Sequence, residues 1–470
     1  MKSNLIYSIL NVFVSTIFPI LIFPYISRVL GVEGIGSYNF YNQSITYLTL
    51  FSSFGINIYG VREIGKYKTD IIKRTQIAIE LFMINFLNAI IFFTIIISFT
   101  INSSYSNDFY LIITLSITLL SNALSVEWYF VGMETQKYIL IRSFIVKIIS
   151  LFFIFLFVRS KEDLLTYVLI VILGLFIPSI LNFIIFIKTI SISTLNRLNL
   201  KQHLKFLFTI FLVEISFRYF GMVDTVILGI KEPKATVGYY SLSFSIFSIV
   251  CSFIRVSAVT MLPRASYYLK MNLMNEFGQL INNTIKFILF IGIPSSIGIF
   301  FWSDFIVLIL GGESFKQSAN ILNYFSILVI ITSLINMLVF QILYPLNQIK
   351  SIITSLFIGI IFNIFFNFLL IPLYSSKGVV ISSIISHTLI LLLLINSYKK
   401  LELSFFFSKE MIAYLYSGII LIITLIIFKN IFRINNIILQ LIIGTISYLG
   451  ALIIFKEQLF INQVLKWIKR

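Results

Sequence analysis

Five basic residues, Arg142, Lys147, Arg218, Arg255 and Lys286, stand inside long apolar runs, and two acids, Glu214 and Asp224, share one run with Arg218. An Arg or Lys at the centre of a bilayer-spanning helix costs about 2.5 to 3.5 kcal/mol, so such a residue faces a cavity, a partner or the interface. Guanidinium forks suit phosphate oxygens bidentately, so this set predicts recognition of an anionic passenger. Glu214 and Arg218 are four apart, the helical spacing at which side chains meet, and mutual neutralisation is the competing reading. Asp224 lies on a different face with no basic residue beside it, which makes it the first candidate for proton or sodium coupling, with Glu214 second. His387, alone among Ile and Leu, reads as a hydrogen-bonded interior side chain before it reads as a proton relay.

The elements that must hold these residues follow from composition. The 470 residues are 59% hydrophobic and 11% charged, with a mean hydropathy of +1.01, against roughly 45–50% and about 25% in soluble domains. The apolar runs are continuous and reach the roughly 18 to 20 residues that cross a hydrocarbon core as helix. Lipid offers the backbone no hydrogen bonds, so the runs must be helical rather than strands of a barrel. Helices are expected near 6–29, 37–60, 77–100, 109–131, 139–158, 164–187, 206–230, 236–262, 284–310, 320–344, 351–372, 378–397, 411–429 and 434–455. Pro19, Pro24, Pro178 and Pro294 should kink theirs. Cys251, the single cysteine, can form no intrachain disulfide and reads as a packing residue.

The net charge of +17 needs no nucleic acid to explain it. Counting Lys and Arg on alternate loops gives twenty-one against nine, and this bias places both termini in the cytoplasm. From the inner end, at 1.5 Å per residue, Arg142 lies near ~5 Å, Arg255 near ~10 Å, Lys147 near ~12 Å and Arg218 near ~18 Å. A diphosphate on the inner leaflet would meet this set first. Snorkelling to the interface is the competing reading for Arg142, Lys147 and Lys286. Glu80 and Glu127, close to the inner interface, read as solvated anchors, and Trp128 and Trp302 as members of interfacial belts, with Trp467 on a basic tail.

Two stretches share a pattern: Leu30-Gly31, then Gly36-Ser37-Tyr38; and Leu228-Gly229, then Gly238-Tyr239-Tyr240. A six-helix offset between them implies two parallel six-span repeats. The expected division is a lobe over 1–190, a cytoplasmic connector over 191–205, a second lobe over 206–400, and two further helices with a basic tail over 401–470.

The stretch Phe23-Pro24-Tyr25-Ile26-Ser27-Arg28-Val29-Leu30-Gly31, followed by Gly34-Ile35-Gly36 and by Tyr59-Gly60-Val61-Arg62-Glu63-Ile64, resembles the Wzx-type polysaccharide flippases. Those belong to the multidrug/oligosaccharidyl-lipid/polysaccharide exporter superfamily, and Asp224 to Gly229 and Met261-Leu262-Pro263-Arg264 are similar to its second half. The resemblance implies an all-α, MATE-like pair of six-helix lobes in a V, opening alternately to either side of a bacterial inner membrane. It further implies a passenger, an oligosaccharide unit on undecaprenyl diphosphate, and a role in O-antigen or capsule assembly, with other polysaccharide-assembly proteins as partners. Arg28 is then a candidate for gating or releasing the diphosphate, beside Arg142, Lys147, Arg218 and Arg255.

Other chemistries find little footing. Gly31-x-x-Gly34-x-Gly36 lacks the Lys-Ser/Thr of a nucleotide-binding loop and sits in an expected outer loop, so it reads as a turn. A glycosyltransferase or polymerase would keep catalytic residues on a sizeable outer loop, and every outer loop is short. Glu162-Asp163, beside Arg159 and Lys161, reads as a solvated ion cluster. No cofactor or metal is expected. A cation-coupled multidrug exporter of the same superfamily is the nearer alternative, though its cavity should be acidic rather than basic.

Overall fold

The computed structural model describes residues 2–103, 105–190, 198–399, 410–430 and 436–455. Every described regular element is helical. In chain order they are α1 (Lys2–Ser53), α2 (Ile56–Lys66), α3 (Ile71–Ile101), α4 (Phe109–Ser125), α5 (Glu127–Gly132), α6 (Gln136–Phe157) and α7 (Leu164–Thr189). There follow α8 (Lys201–Lys231), α9 (Lys234–Lys270), α10 (Met274–Gly311), α11 (Gln317–Met337), α12 (Ile349–Tyr374), α13 (Ser376–Lys399), α14 (Glu410–Asn430) and α15 (Ile437–Ile454).

Eleven described helices are long and apolar enough to cross a membrane, twelve if the bent α8 counts as one span. These twelve coincide with the third to fourteenth expected spans, and the first two fall within α1, which is not among them. Lipid as solvent explains the surface: Leu169, Leu173, Ile177, Leu181 and Ile184 form an exposed apolar stripe on α7. Buried hydroxyls are met within their own helices, as where Thr49, Thr100 and Ser116 donate to the carbonyls of Ile45, Ile96 and Ile112. Pro178 and Pro294 lie inside α7 and α10.

The chain forms two compact units, one of Met1–Ser241 with Leu310–Ser314, the other of Leu242–Ile309 with Phe315–Arg470. In the first, Ile56, Tyr59 and Ile64 of α2 join Leu81, Trp128, Phe186 and Leu207 in one apolar cluster. In the second, α11 is the most enclosed spanning helix, with 61% of its central stretch buried. There Ile293 and Ile297 of α10 also pack with Tyr414, Leu421 and Tyr448 of the last two helices, beside an apolar cavity of about 580 Å³ lined by Pro294, Trp302 and Leu425 among others. Residues 191–197 of the expected connector, and the tail with Trp467, lie outside the described residues.

Three local expectations change. The outer turn expected at residues 31–36 is a break at a single residue, Gly31, whose φ of +68° suits glycine, after which the helix resumes. Val32, Glu33, Ile35 and Ser37 carry nothing that stops a helix. The second expected span ends at Ser53 rather than 60, because Phe54 and Gly55 turn left-handed (φ +46° and +81°) and α2 starts as a separate amphipathic helix. Trp128 is buried rather than interfacial, its ring lying against Gly60, where a Cβ would come within 2.5 Å.

Candidate functional site

The two copies of the Leu-Gly…Gly-x-Tyr pattern lie against each other in the first unit. A Cβ on Gly36 would stand 1.8 Å from the Lys234 carbonyl oxygen, and one on Gly238 2.2 Å from that of Val32. The second half of α1 and the start of α9 therefore cross backbone to backbone. A Cβ on Gly229 would meet the Phe40 ring at 2.1 Å, so the contact continues along α8. Lys234 fills the space beside it, its Nζ 3.1 Å from the Phe40 ring centroid, 4.9 Å from Tyr41 and 5.8 Å from Tyr105. The Tyr41 hydroxyl donates to Asp108, whose charge also attracts Lys234. A Lys counted in the sequence only as a loop charge is thus caged by three aromatic rings.

Asp224 is 2% exposed, and the Tyr240 hydroxyl, the last residue of the second pattern, lies 3.5 Å from its Oδ2. Glu214 is also buried. Between them α8 bends by 68° from Lys201–Ser216 to Gly221–Lys231, with Gly221 at φ +88°. The two candidate coupling acids therefore stand on opposite sides of a bend. The Arg218 side chain, within the bend, lies outside the described residues.

Arg142 is buried within the first unit rather than extended to solvent. Its side chain is 6% exposed, Nη2 donates to Glu127 Oε1 at 2.8 Å and Nη1 to the Pro178 carbonyl at 3.0 Å, and the guanidinium lies 5.8 Å from the Tyr138 ring centroid. It ties α5, α6 and α7 together. Lys147, half-buried further along α6, is attracted by the same Glu127 carboxylate. Arg28 precedes the α1 break, donates to the Pro24 carbonyl at 2.5 Å, and passes its side chain close to Gly312. Next to it the Ser27 hydroxyl donates to the Leu310 carbonyl at 2.8 Å. Arg255 belongs to the second unit, and its side chain is exposed on α9, one turn after buried Cys251. Lys286 is buried on α10. Among the sequence candidates of the first unit the structure therefore brings Arg142 and Lys147 to Glu127, and leaves Arg28 and Asp224 in separate surroundings.

Two polar centres go beyond what the sequence suggested, one around Glu80 and one beside His387, whose reading as a hydrogen-bonded interior side chain the second centre bears out. Glu80 is fully buried and accepts from the Asn199 backbone at 2.7 Å, from Gln202 at 2.8 Å and from Gln76 at 3.1 Å. It also pairs with His203 Nε2 at 2.8 Å, whose Nδ1 lies 2.9 Å from the Tyr59 hydroxyl. This network locks α2, α3 and α8 where a solvated anchor was expected, and the long separation of its members hid it. In the second unit, Asn367 donates to Asn363 at 3.2 Å and Asn363 to Ser383 at 3.4 Å, all buried, and His387 Nδ1 meets the Ser383 carbonyl at 2.7 Å. The four-residue spacing of the two asparagines was the available signal. Asp163, of the expected ion cluster, caps its own turn through Ser160 and the Arg159 amide.

A family model described as "Polysaccharide biosynthesis protein" matches residues 1–269, more than half of the chain. The chain belongs to that family. It is a Wzx-type polysaccharide transporter family member of the multidrug/oligosaccharidyl-lipid/polysaccharide exporter superfamily. It is 23% identical over 400 residues to a candidate O-antigen transporter of Escherichia coli (strain K12), covering 83% of this chain and 94% of that one. In fold it is similar to the lipid II flippase MurJ in an inward closed conformation, with a TM-score of 0.76, 16% identity and coverage of 98% of this chain and 100% of the other. It is also similar to an inward-facing MATE multidrug resistance transporter, with a TM-score of 0.63, 11% identity and coverage of 83% and 94%. The family member is thus a multi-pass membrane protein with a flippase-like transport function, and its relatives are transporters rather than enzymes.

Proposed function

We propose that this transporter flips undecaprenyl-diphosphate-linked oligosaccharide units from the inner to the outer leaflet by alternating access. On this reading fourteen spans form two six-helix lobes, 1–190 and 206–400, joined by the connector 191–205, with residues 401–470 added and both termini cytoplasmic. Lys147, Arg218, Arg255 and Arg28 engage the diphosphate, and Arg142, held by Glu127, sets the inner rim of that path. The observation that carries the reading is the retention of basic side chains inside spans, Arg255 exposed on α9 among them. An anionic diphosphate offsets the cost of keeping such charges in a membrane segment. The O-antigen role named for the Escherichia coli relative supports the class of passenger.

Asp224 couples the cycle to protons or sodium, with Glu214 across the bend. A buried carboxylate inside a span is a default ion-pathway candidate. The test is a strain lacking the protein. Lipid-linked glycan should accumulate on its inner leaflet, be cleared by the wild-type chain, and persist with Arg255→Ala at equal expression. Clearance by Arg255→Ala at the wild-type rate would overturn the diphosphate assignment, and flipping at an unchanged rate after both ion gradients are collapsed would remove the role of Asp224.

A further inference from the structure

Helix α10 is interrupted twice within the second unit, and α15 reaches both places. Pro294 lies inside the helix and carries no N–H, so the Phe290 carbonyl four residues back loses its ladder donor. The Tyr448 hydroxyl of α15 is directed at that carbonyl at 3.3 Å and at the neighbouring Leu289 carbonyl at 3.4 Å. Further along α10, Trp302 leaves helical geometry (φ −114°, ψ 17°), and its indole Nε1 donates to Gln440 Oε1 of α15 at 2.9 Å. Gln440 and Tyr448 are both buried. With Gly444 between them they follow the four-residue spacing that lines side chains along one face of a helix. The other polar side chains of α15 behave differently: Thr445 and Ser447 donate to carbonyls of their own helix, Leu441 and Gly444. Helix α14 closes on the same stretch, since a Cβ on Gly418 would come within 2.7 Å of Ile293 Cγ2, beside the proline.

In hydrocarbon a carbonyl that loses its helical donor is met by a neighbouring helix or destabilises the span that carries it. Phe or Leu at 448 and Leu at 440 would fill the same space without meeting either interruption. We propose that α14 and α15 form a brace that holds α10 in its interrupted shape, Tyr448 supplying the donor that Pro294 withdraws and Gln440 fixing the second break at Trp302. The two helices beyond the repeat thus act on α10, the helix whose last residues, Leu310 and Gly311, belong to the first unit. The assignment does not depend on what the protein transports.

The experiment is hydrogen–deuterium exchange of the purified full-length chain in nanodiscs, read on peptides covering 286–298 and 299–309, with thermal melting alongside. Tyr448→Phe keeps the ring and removes the hydroxyl. It should raise exchange over 286–298 about threefold, the weight of one hydrogen bond between helices in a membrane, and leave 299–309 as in wild type. Gln440→Leu should do the reverse. Pro294→Ala returns the missing N–H, so adding Tyr448→Phe to it should leave exchange over 286–298 unchanged and lower the melting midpoint less than Tyr448→Phe does alone. Tyr416→Phe, on the exposed face of α14, is the control and should alter neither peptide. Wild-type exchange over 286–298 in Tyr448→Phe, or an equal rise with and without Pro294→Ala, overturns the proposal. Should Pro294→Ala not fold, the two single variants still decide it, because an equal rise over both peptides in either one overturns it too.

Discussion

Gly36→Ala and Gly238→Ala should each weaken the crossing of α1 with α9, whereas Gly34→Ala, two residues away, should be tolerated. The magnitude follows from the distances. An added Cβ at Gly36 starts 1.8 Å from a backbone carbonyl oxygen, against ordinary contacts of 3.4 Å or more, so the two helices must part by more than an ångström. At Gly238 the corresponding distance is 2.2 Å, again to a backbone carbonyl. At Gly34 the nearest atom is Leu30 Cβ at 3.1 Å, one turn back on the same helix, which gives way by a few tenths of an ångström. Overpacking against side chains costs about 1 to 3 kcal/mol, and backbone on both sides of the contact places these two variants at or above the top of that range. Separation also opens the Lys234 cage, since Phe40 rides on the same stretch of α1. The assay is the melting midpoint of the detergent-purified protein, followed by size-exclusion after heating, with membrane abundance measured alongside. One displacement relieves both clashes, so the double variant should lose less than the sum of the singles. Wild-type midpoints for Gly36→Ala and Gly238→Ala, or equal losses for all three single variants, would refute the backbone crossing.

Four further outcomes are expected. Glu127→Gln should destabilise more than Arg142→Met, because the Arg142 side chain is 6% exposed and Glu127 49%. An orphaned buried guanidinium costs about 3 kcal/mol or more, whereas an orphaned Glu127 reaches solvent; thermal melting of the two variants ranks them. Glu80→Leu should lower the melting midpoint far more than Glu80→Gln, since Leu strands the Asn199, Gln202, Gln76 and His203 donors that Glu80 accepts. Lys234→Met should cost about 1 to 2 kcal/mol of stability through the lost aromatic cage, read in the same melt. Tyr240→Phe should shift the ion dependence of flipping without abolishing it, because Asp224 keeps its carboxylate and loses one neighbouring hydroxyl; an ion titration unchanged from wild type would remove Tyr240 from the coupling site.

Much of the architecture was legible because lipid imposes a single local rule. Where every backbone group must be met within its own segment, a continuous apolar run can only be a helix, and eleven expected spans, twelve with the bent α8, have a described helix long and apolar enough to cross. Helix ends were less legible. A run of helix-compatible residues such as Val32 to Tyr38 does not announce that the break is confined to Gly31, nor does an apolar Phe54 announce a left-handed turn. For the candidate site, residue type located the charges and depth ranked them, but neither gave partners. Arg142 looked like a snorkelling side chain because Glu127 is fifteen residues away and Pro178 thirty-six, on other helices.

The sequence by itself determined the solvent, the helical class, the family and which side chains are out of place in hydrocarbon, since all of these depend on composition and on contiguous motifs. Only the tertiary structure decided what those motifs are for. The glycines of the two repeated patterns are not loop residues but the place where the two copies touch. Lys234 is not a topological charge but the occupant of an aromatic cage, and Glu80 is not a solvated anchor but the centre of a buried network. In each case the deciding contact joins residues on different helices, where no local periodicity carries a signal and only close approach of two backbones brings the partners together.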